Sequence, residues 1–166
     1  MANLLPREVD FAETAPVRIE GSATLAATPA EVWAVLLDYD AWPRWFRGVH
    51  SCHATSDPPT GVGSTRRVGL AKGRSTVDER FVAWEDERLW AFTATAMSPA
   101  LFRSLVERAT IEPGADGRTT VTYRMAFDPK PALRPALPLL RSGVRRNLEA
   151  AMVELGREVQ RRRPLA

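Results

Sequence analysis

The clearest pattern of apolar and polar positions in this chain lies near its end, from about Leu137 to Arg163. Apolar residues recur there at steps of three and four while charged residues fill the opposite side, which predicts an amphipathic helix. The apolar positions are Leu137, Leu140, Val144, Leu148, Ala151, Met152, Leu155 and Val159. A helix of roughly 25 residues is about 40 Å long. A broad surface elsewhere in the chain must therefore cover its apolar face.

Near the start of the chain, the pattern changes from strand-like alternation to a capped helix. In residues 17–27, apolar and polar positions alternate, which predicts a first strand. Thr28, Pro29 and Glu31 then form a Thr-x-x-Glu capping box with proline in the first helical position, so a helix is expected to begin there. The aromatic, proline-interrupted residues 41–46 predict a second short helix or turn.

The middle of the chain predicts six strands of an antiparallel meander, because turn-prone segments separate them and short connections favour pairing between neighbours. These strands are expected at residues 48–56, 63–71, 74–84, 88–97, 102–112 and 118–128. In the last strand the apolar side chains alternate with polar ones, and that apolar face is expected to look at the long helix. Its members are Val121, Tyr123, Met125 and Phe127. A polar residue on an inner face, such as Glu79 between Val77 and Phe81, is expected if the sheet encloses a cavity.

Length and composition indicate one ordinary globular domain. The 166 residues are 45% hydrophobic and 26% charged, and no apolar run reaches the roughly 20 residues of a membrane span. Residues 1–15 show no sustained period, so they predict a loose N-terminal extension before a single domain at 16–163. Because this start has neither the positive charge nor the apolar centre of a signal peptide, a cytoplasmic location is expected.

Charge and cysteine content exclude several classes of site. Cys52 is the only cysteine, so an internal disulfide is excluded and a cysteine-based zinc site is not expected. His50 and Cys52 would share one face of a strand while His53 points away, so no metal is predicted. Residues 61–66 lack the third glycine of a dinucleotide loop, and no other cofactor motif is present. The net charge is only +3 with acids and bases interspersed, so nucleic-acid binding is not expected.

The order of elements and three short motifs resemble the START/Bet v 1-like (SRPBCC) superfamily, most closely its polyketide cyclase/dehydrase and lipid-transport-like members. The motifs are Thr-Pro-Ala-Glu-Val-Trp at 28–33, Asp-Tyr-Asp-Ala-Trp-Pro-Arg-Trp at 38–45 and Gly-Val-Gly at 61–63. The resemblance covers about residues 17–162. It implies an α+β helix-grip fold, in which a seven-stranded antiparallel sheet curls around the long C-terminal helix. Two short helices would follow the first strand, and a pocket would lie between sheet and helix.

The implied pocket predicts a carrier or binding protein for a small hydrophobic molecule such as a lipid, an isoprenoid or a polyketide-like aromatic. Burial of apolar ligand surface would supply most of the affinity. The side chains expected to line the pocket are Trp45, Arg66, Phe81, Phe92, Tyr123, Met125, Phe127, Leu140, Val144, Leu148 and Met152. Three tryptophans, Trp33, Trp42 and Trp45, form either an aromatic ligand cage or part of the core.

Two alternative functions stay open at the level of sequence. The first is a polyketide aromatase/cyclase or dehydratase in which Tyr123 and Glu79 move protons in the same pocket. Arg103 and Glu107 are further polar candidates for the pocket, and a solvent-facing ion pair is the plainer interpretation of Glu79. The second alternative is a protein- or ribosome-interaction module that docks through the arginine-rich end at 161–166. No oligomeric state is predicted.

Overall fold

The computed structural model describes residues 1–163, which form a curled antiparallel sheet and a long C-terminal helix. The strands are β1 (Ala2–Asn3), β2 (Val17–Leu25), β3 (Val49–Ala54), β4 (Thr65–Leu70), β5 (Ser75–Glu85), β6 (Leu89–Ser98), β7 (Phe102–Pro113) and β8 (Thr119–Pro129). The helices are α1 (Phe11–Thr14), α2 (Pro29–Leu37), α3 (Trp42–Trp45) and α4 (Leu137–Arg162). Short 3-10 segments occupy Tyr39–Ala41, Ala71–Gly73 and Pro131–Ala136. Over this described part of the chain, no helix is both long and apolar enough to cross a membrane.

Seven strands form a continuous antiparallel path in the order β2-β8-β7-β6-β5-β4-β3, which confirms the predicted helix-grip architecture. The strand β2 pairs with β8 from Val17↔Phe127 to Leu25↔Thr119, so the first and last long strands lie side by side. The helix α4 packs most extensively on β2 and also touches α2 and α3. The two short helices therefore close one end of the space between the sheet and α4.

The start of α2 follows the local signal in the sequence. The Thr28 side chain accepts a hydrogen bond from the Glu31 backbone N–H at 3.3 Å, and Glu31 Oε2 accepts one from the Thr28 backbone N–H at 2.7 Å. These two bonds satisfy donors that the first helical turn otherwise leaves free. The predicted capping box is confirmed, and it fixes where the chain leaves the sheet.

A glycine on β2 lets this strand approach α4 closely. A Cβ atom at Gly21 would lie 2.9 Å from the backbone carbonyl carbon of Leu148, well inside normal contact distance. On the other side of the same contact, a Cβ at Gly156 would lie 2.8 Å from Cδ2 of Leu25, the flexible end of a side chain. The seat of α4 on β2 thus depends on having no side chain at position 21.

The N-terminal residues correct one expectation, because residues 1–15 are not loose. The ladder between β6 and β7 ends at the pair Thr93↔Val106, and beyond this pair the two strands separate. The segment 2–7, here called the N-terminal strap, fills the resulting gap. The sequence pattern did not predict this structure because the two-residue β1 and the four-residue α1 are too short to show a period.

Hydrogen bonds tie the strap to both strands. In β1, Ala2 pairs with Met97 of β6. The Leu4 N–H donates to the carbonyl of Thr95 at 2.9 Å, and the Leu5 N–H donates to the carbonyl of Arg103 in β7 at 2.8 Å. Leu4 is also buried in the main core. The strap therefore closes the sheet where β6 and β7 no longer pair with each other.

Candidate functional site

A cavity of about 330 Å³ lies between the sheet and the N-terminal half of α4. Most of its wall is apolar, and its charged or amide-bearing members are Arg47, Glu79, Glu107 and Asn147. The apolar and glycine members are Trp42, Phe46, Gly48, Val49, Val68, Leu70, Ala71, Val77, Phe92, Met97, Leu105, Met125, Val144 and Leu148. Such a composition suits a small, largely apolar molecule.

The two halves of α4 differ in how firmly they pack, and the cavity lies under the looser half. Every fully buried residue of α4 lies at Leu148 or beyond. Before that point, Val144 and Asn147 are half-buried and line the cavity, while Arg146 is exposed. Exposed Arg47 lies in one surface groove with Arg146 and Asn147. The mouth of the cavity is therefore at this groove, where the α3–β3 connection faces α4.

The structure brings only part of the predicted lining to the cavity. Phe92, Met125, Val144 and Leu148 line it, and so does Glu79. The other seven predicted residues do not, namely Trp45, Arg66, Phe81, Tyr123, Phe127, Leu140 and Met152. Six of these are fully buried behind the wall, and Leu140 packs at the edge of the core.

Arg66 is a buried charge held among aromatic rings. Its guanidinium carbon lies 4.2 Å from the ring centre of Trp42 and 4.6 Å from that of Phe92, distances typical of cation–π contacts. Its Nε donates to Glu79 Oε2 at 2.6 Å. Neither Nη atom of Arg66 has a hydrogen-bond partner among residues 1–163. The solvent-facing ion pair considered for Glu79 is thus replaced by a buried one with Arg66.

Burial raises the pKa of Glu79, and the charge and hydrogen bond of Arg66 oppose that rise. Arginine keeps its proton in proteins, so Arg66 brings a fixed positive charge beside this carboxyl. Glu79 is the only carboxylate that contacts Arg66 among the described residues. We therefore treat Glu79 as the anionic partner of Arg66.

Glu107 and Tyr123 form the second polar pair of the site. The Tyr123 hydroxyl donates to Oε2 of Glu107. Burial and the nearby charge of Glu79 raise the pKa of Glu107 to about 7. Burial and Glu107 also raise the pKa of Tyr123 well above its usual value, so the phenol keeps its proton. Of this pair only Glu107 reaches the cavity, because Phe46 and Trp90 pack against the Tyr123 ring, 5.5 and 5.6 Å away between ring centres.

Each of the two cavity carboxyls keeps one oxygen free. Oε2 of Glu79 and Oε2 of Glu107 accept the bonds from Arg66 and Tyr123. The Oε1 atoms have no hydrogen bond within residues 1–163, yet they are not among the polar atoms sealed from solvent. Since both residues line the cavity, these two oxygens face it. They are acceptors for a bound molecule.

Sequence reasoning named Glu107 only as a further polar candidate and missed most of the mouth. Alternation could have found Val68 and Leu70 on β4, which share their face with Arg66. No periodic signal marks the loop residues Arg47 and Gly48, whose position depends on packing between α3 and α4. The remaining candidate, Arg103, is outside the cavity and lies 3.8 Å from Asp128.

Two of the clusters that the sequence suggested, the three tryptophans and the group at His50 and Cys52, lie mostly outside the cavity. Trp33 packs edge-on against Trp84 with 5.3 Å between ring centres, and Trp42 alone of the three suggested cage residues lines the cavity. Cys52 is buried, and burial raises the pKa of its thiol to about 12. Within residues 1–163, no group of three His, Cys, Asp or Glu side chains is placed to hold a metal ion.

The arginines at the end of α4 are engaged within the molecule. Arg161 and Arg162 form ion pairs with Glu158, and Arg162 also pairs with Asp38. Arg163 lies 2.8 Å from Glu31 at the start of α2. The contacts of Arg162 and Arg163 hold the helix end on α2. Residues 164–166 of that suggested docking segment lie outside the described residues.

Comparisons with known proteins agree with the fold and leave the ligand open. The family model described as polyketide cyclase / dehydrase and lipid transport matches residues 16–160. An uncharacterised protein of Mycobacterium tuberculosis is 34% identical over 143 residues, covering 84% of this chain and 85% of that protein. The structure of Zhui aromatase/cyclase from Streptomyces sp. R1128 superposes with a TM-score of 0.73 at 18% identity, covering 88% of this chain and 94% of that chain. A START superfamily protein from Mycobacterium smegmatis gives a TM-score of 0.70 at 14% identity, covering 87% and 97%.

Proposed function

The chain belongs to the polyketide cyclase / dehydrase and lipid transport family, within the START/Bet v 1-like superfamily, and from this premise we propose that it binds one small hydrophobic molecule between sheet and α4. The single observation that carries the proposal is the 330 Å³ cavity with its apolar wall. Burial of ligand surface against that wall would contribute about 25 cal/mol per Å² before the costs of ordering.

Native mass spectrometry and a fluorescent probe test this proposal together. The gently purified protein is examined for bound mass and is then titrated with prodan, an uncharged naphthalene dye that brightens in apolar surroundings. We expect a bound small molecule, or saturable binding of one prodan per chain to the emptied protein. A protein that is consistently empty and also leaves prodan unbound would overturn the proposal.

Two substitutions on α4 make the test specific to the cavity. Val144→Trp places an indole in the cavity wall, so we expect it to weaken prodan binding at least tenfold. Val153→Trp adds the same side chain at a position that is 53% exposed on the same helix, and it should leave binding unchanged. Equal effects from both variants would show that prodan binds elsewhere.

One specific observation favours an enzyme as the second candidate. Glu107 faces the cavity with a pKa near 7, so it can both accept and return a proton at neutral pH. In a dehydratase or cyclase it would take a proton from the carbon beside a ligand carbonyl. It would return that proton to a departing hydroxyl, which leaves as water. Tyr123 would position Glu107, and the charge of Glu79 would keep its pKa near the working pH.

The enzyme candidate is tested with 4-hydroxy-4-(2-naphthyl)butan-2-one, whose loss of water gives a conjugated enone that absorbs at longer wavelength. We expect turnover that falls at least a hundredfold in Glu107→Gln, and less in Tyr123→Phe. Glu79→Gln should shift the pH profile of the reaction. If all three variants turn over the substrate as fast as the unsubstituted protein does, with the same pH profile, these residues do not carry the chemistry.

A further inference from the structure

Away from Arg47 and Asn147 at the mouth, the polar groups that line the cavity are carboxyls. Glu79 on β5 and Glu107 on β7 line the wall, each with a free Oε1 atom. The buried cation Arg66 does not line the cavity, because Glu79 and the rings of Trp42 and Phe92 surround its guanidinium. Among residues 1–163, Arg47 is the one basic residue in the lining, and it is exposed at the mouth.

The charges in this wall and directly behind it do not balance when both carboxyls are ionised. Arg66 contributes one positive charge, while Glu79 and Glu107 contribute two negative charges. Burying the net negative charge is costly, and one added positive charge removes the imbalance. Without a ligand, a proton on Glu107 supplies that charge, which agrees with the raised pKa of this carboxyl. A bound cation would supply it instead.

We propose that the cavity selects hydrophobic amines, which bind as ammonium ions with the nitrogen between the free oxygens of Glu79 and Glu107. This inference rests on the proposed binding function and names its ligand class. An ammonium group has donors for both oxygens and no acceptor. The apolar body of the amine packs against Phe92, Met125 and Val144. The ring of Phe46 also lines the cavity, and aromatic rings attract cations.

The same wall disfavours hydrophobic anions. A carboxylate at the inner end of the cavity would face Glu79 and Glu107, and like charges at close range repel strongly where water is excluded. In the lining formed by residues 1–163, only Arg47 could pair with such a group. Because Arg47 lies at the mouth, an anion would have to bind with its charged end pointing out of the cavity. A neutral alcohol of the same shape can donate one hydrogen bond but adds no charge, so the charge balance still depends on the proton of Glu107.

This ligand class requires a definite pH dependence. The charged or titratable groups that act on Glu107 are Tyr123 from β8, Glu79 from β5 and Arg66 from β4, and Arg47 lies at the mouth. An ammonium ion displaces the proton of Glu107, so affinity rises as that proton is lost. With a pKa of about 7, the affinity for an amine should increase about tenfold from pH 6 to pH 8. A ligand that accepts a hydrogen bond from the protonated carboxyl would show the opposite slope.

The experiment uses three probes that share one naphthalene body: 2-naphthylmethylamine, 2-naphthalenemethanol and 2-naphthoate. Their affinities for the full chain are measured by isothermal titration calorimetry at pH 6, 7 and 8. At pH 8 we expect the amine to bind at least tenfold more tightly than the alcohol, and the naphthoate to bind most weakly. Only the amine should gain affinity as the pH rises, and its binding should release protons near pH 7.

Two variants on β7 locate the effect. Glu107→Gln keeps an acceptor for Tyr123 but removes the charge, so the advantage of the amine over the alcohol and its pH slope should both disappear. Glu112→Gln removes an exposed carboxylate from the same strand and should change neither. Because the pH slope of the unsubstituted protein is decisive by itself, the test does not depend on the folding of a variant.

Failure of this inference differs from failure of the proposed function. If the alcohol binds in the cavity and the amine binds no more tightly, or loses affinity as the pH rises, the binding function stands and the amine inference is wrong. Tightest binding by the naphthoate would overturn it in the same way. If none of the three probes binds, the proposed binding function itself fails, and the ligand class fails with it.

Discussion

At the scale of single residues, the buried pair of Arg66 and Glu79 carries opposite charges into an aromatic core. Both side chains are almost fully buried, 1% and 6% exposed, and only one nitrogen of Arg66 has a hydrogen-bond partner within residues 1–163. Taking such ions out of water costs several kcal/mol each, so their attraction mainly offsets this cost. Each residue therefore depends on the other, and removal of one leaves an uncompensated buried charge.

We expect Glu79→Gln to lower the free energy of unfolding by about 3 kcal/mol, because it leaves the buried Arg66 guanidinium without the carboxylate that contacts it. The double variant Arg66→Met with Glu79→Leu should recover most of this loss, since it removes both ions. Urea unfolding, monitored by circular dichroism, measures the free energy of unfolding of both variants. A double variant that is less stable than the single one would show that the ion pair contributes net stability.

Glu107 links the cavity to the pH dependence of stability. Its pKa in the folded protein is about 7, above that of an unfolded glutamate, so the folded state holds this proton more tightly. The stabilisation from that proton is fully present below the unfolded pKa. It is lost as the pH rises through about 7. The Glu107→Gln variant lacks this titration, so relative to the unsubstituted protein it should be more stable at pH 8 than at pH 5.

Urea unfolding of both proteins across this pH range checks the sign. The Glu112→Gln variant serves as the control, because it removes a carboxylate from the exposed part of the same strand. A stability difference between Glu107→Gln and the unsubstituted protein that stays constant with pH would show that Glu107 titrates normally in the folded state.

At the scale of elements, the contact between β2 and α4 depends on glycine in an asymmetric way. A methyl group at Gly21 would collide with the α4 backbone at Leu148, which cannot rotate away. A methyl group at Gly156 would meet only the end of the Leu25 side chain. We expect Gly21→Ala to destabilise the fold by about 2 kcal/mol, as overpacking does.

For Gly156→Ala the expected change is within about 1 kcal/mol of zero, because the higher helix propensity of alanine offsets the adjustment of Leu25. Thermal unfolding of the two variants side by side measures the contrast. Equal destabilisation by both substitutions would contradict the claim that α4 packs more tightly on β2 at Gly21 than at Gly156.

The N-terminal strap is the element that closes the sheet next to the cavity. Met97 and Leu105, which line the cavity, belong to the two strands that the strap joins. Removal of residues 1–7 should leave a folded domain but expose unpaired backbone groups of β6 and β7. Loss of the buried Leu4 should also cost about 2 kcal/mol.

Hydrogen exchange measured by mass spectrometry tests this role of the strap. The truncated chain should exchange faster at residues 94–98 and 102–105, with the β2–β8 ladder unchanged. Asn3→Ala, which alters only an exposed side chain, should behave like the unsubstituted protein. Unchanged exchange in the truncated chain would show that the strap does not close the sheet.

At the scale of the whole molecule, the elements followed from the sequence because their signals are local. The capping box of Thr28 and Glu31 set the start of α2, and the spacing of apolar residues set the long helix. Alternation placed Val121, Tyr123, Met125 and Phe127 on the inner face of β8. Each of these signals lies within one continuous segment of the chain and needs no knowledge of distant contacts.

The site was less accessible from sequence, because an inward residue can face either a cavity or packed core. Tyr123 and Met125 share one face of β8, yet Phe46 and Trp90 cover the first while the second borders the cavity. Irregular pairing between β5 and β6 also shifts the register beside Glu79, so strand alternation does not give its neighbours directly. These outcomes depend on contacts between residues far apart in the chain.

The two halves of α4 have different roles in the molecule. The C-terminal half of α4 packs on β2 and α2 and holds the fold together, whereas its N-terminal half covers the cavity and is only partly buried. Ion pairs from Arg162 and Arg163 fix the packed end. A ligand under the other end can therefore be accommodated without disturbing the contacts that stabilise the domain.

The most direct test of the central claim is to locate a ligand by the anomalous scattering of bromine in crystals grown with 2-bromonaphthalene. We expect one ordered bromine site inside the cavity, in van der Waals contact with Phe92, Met125 or Val144. Crystals of the Val144→Trp variant should lack that site. Bromine bound only on the surface, or an empty cavity at saturating ligand, would contradict the claim that this protein holds a small hydrophobic molecule between its sheet and α4.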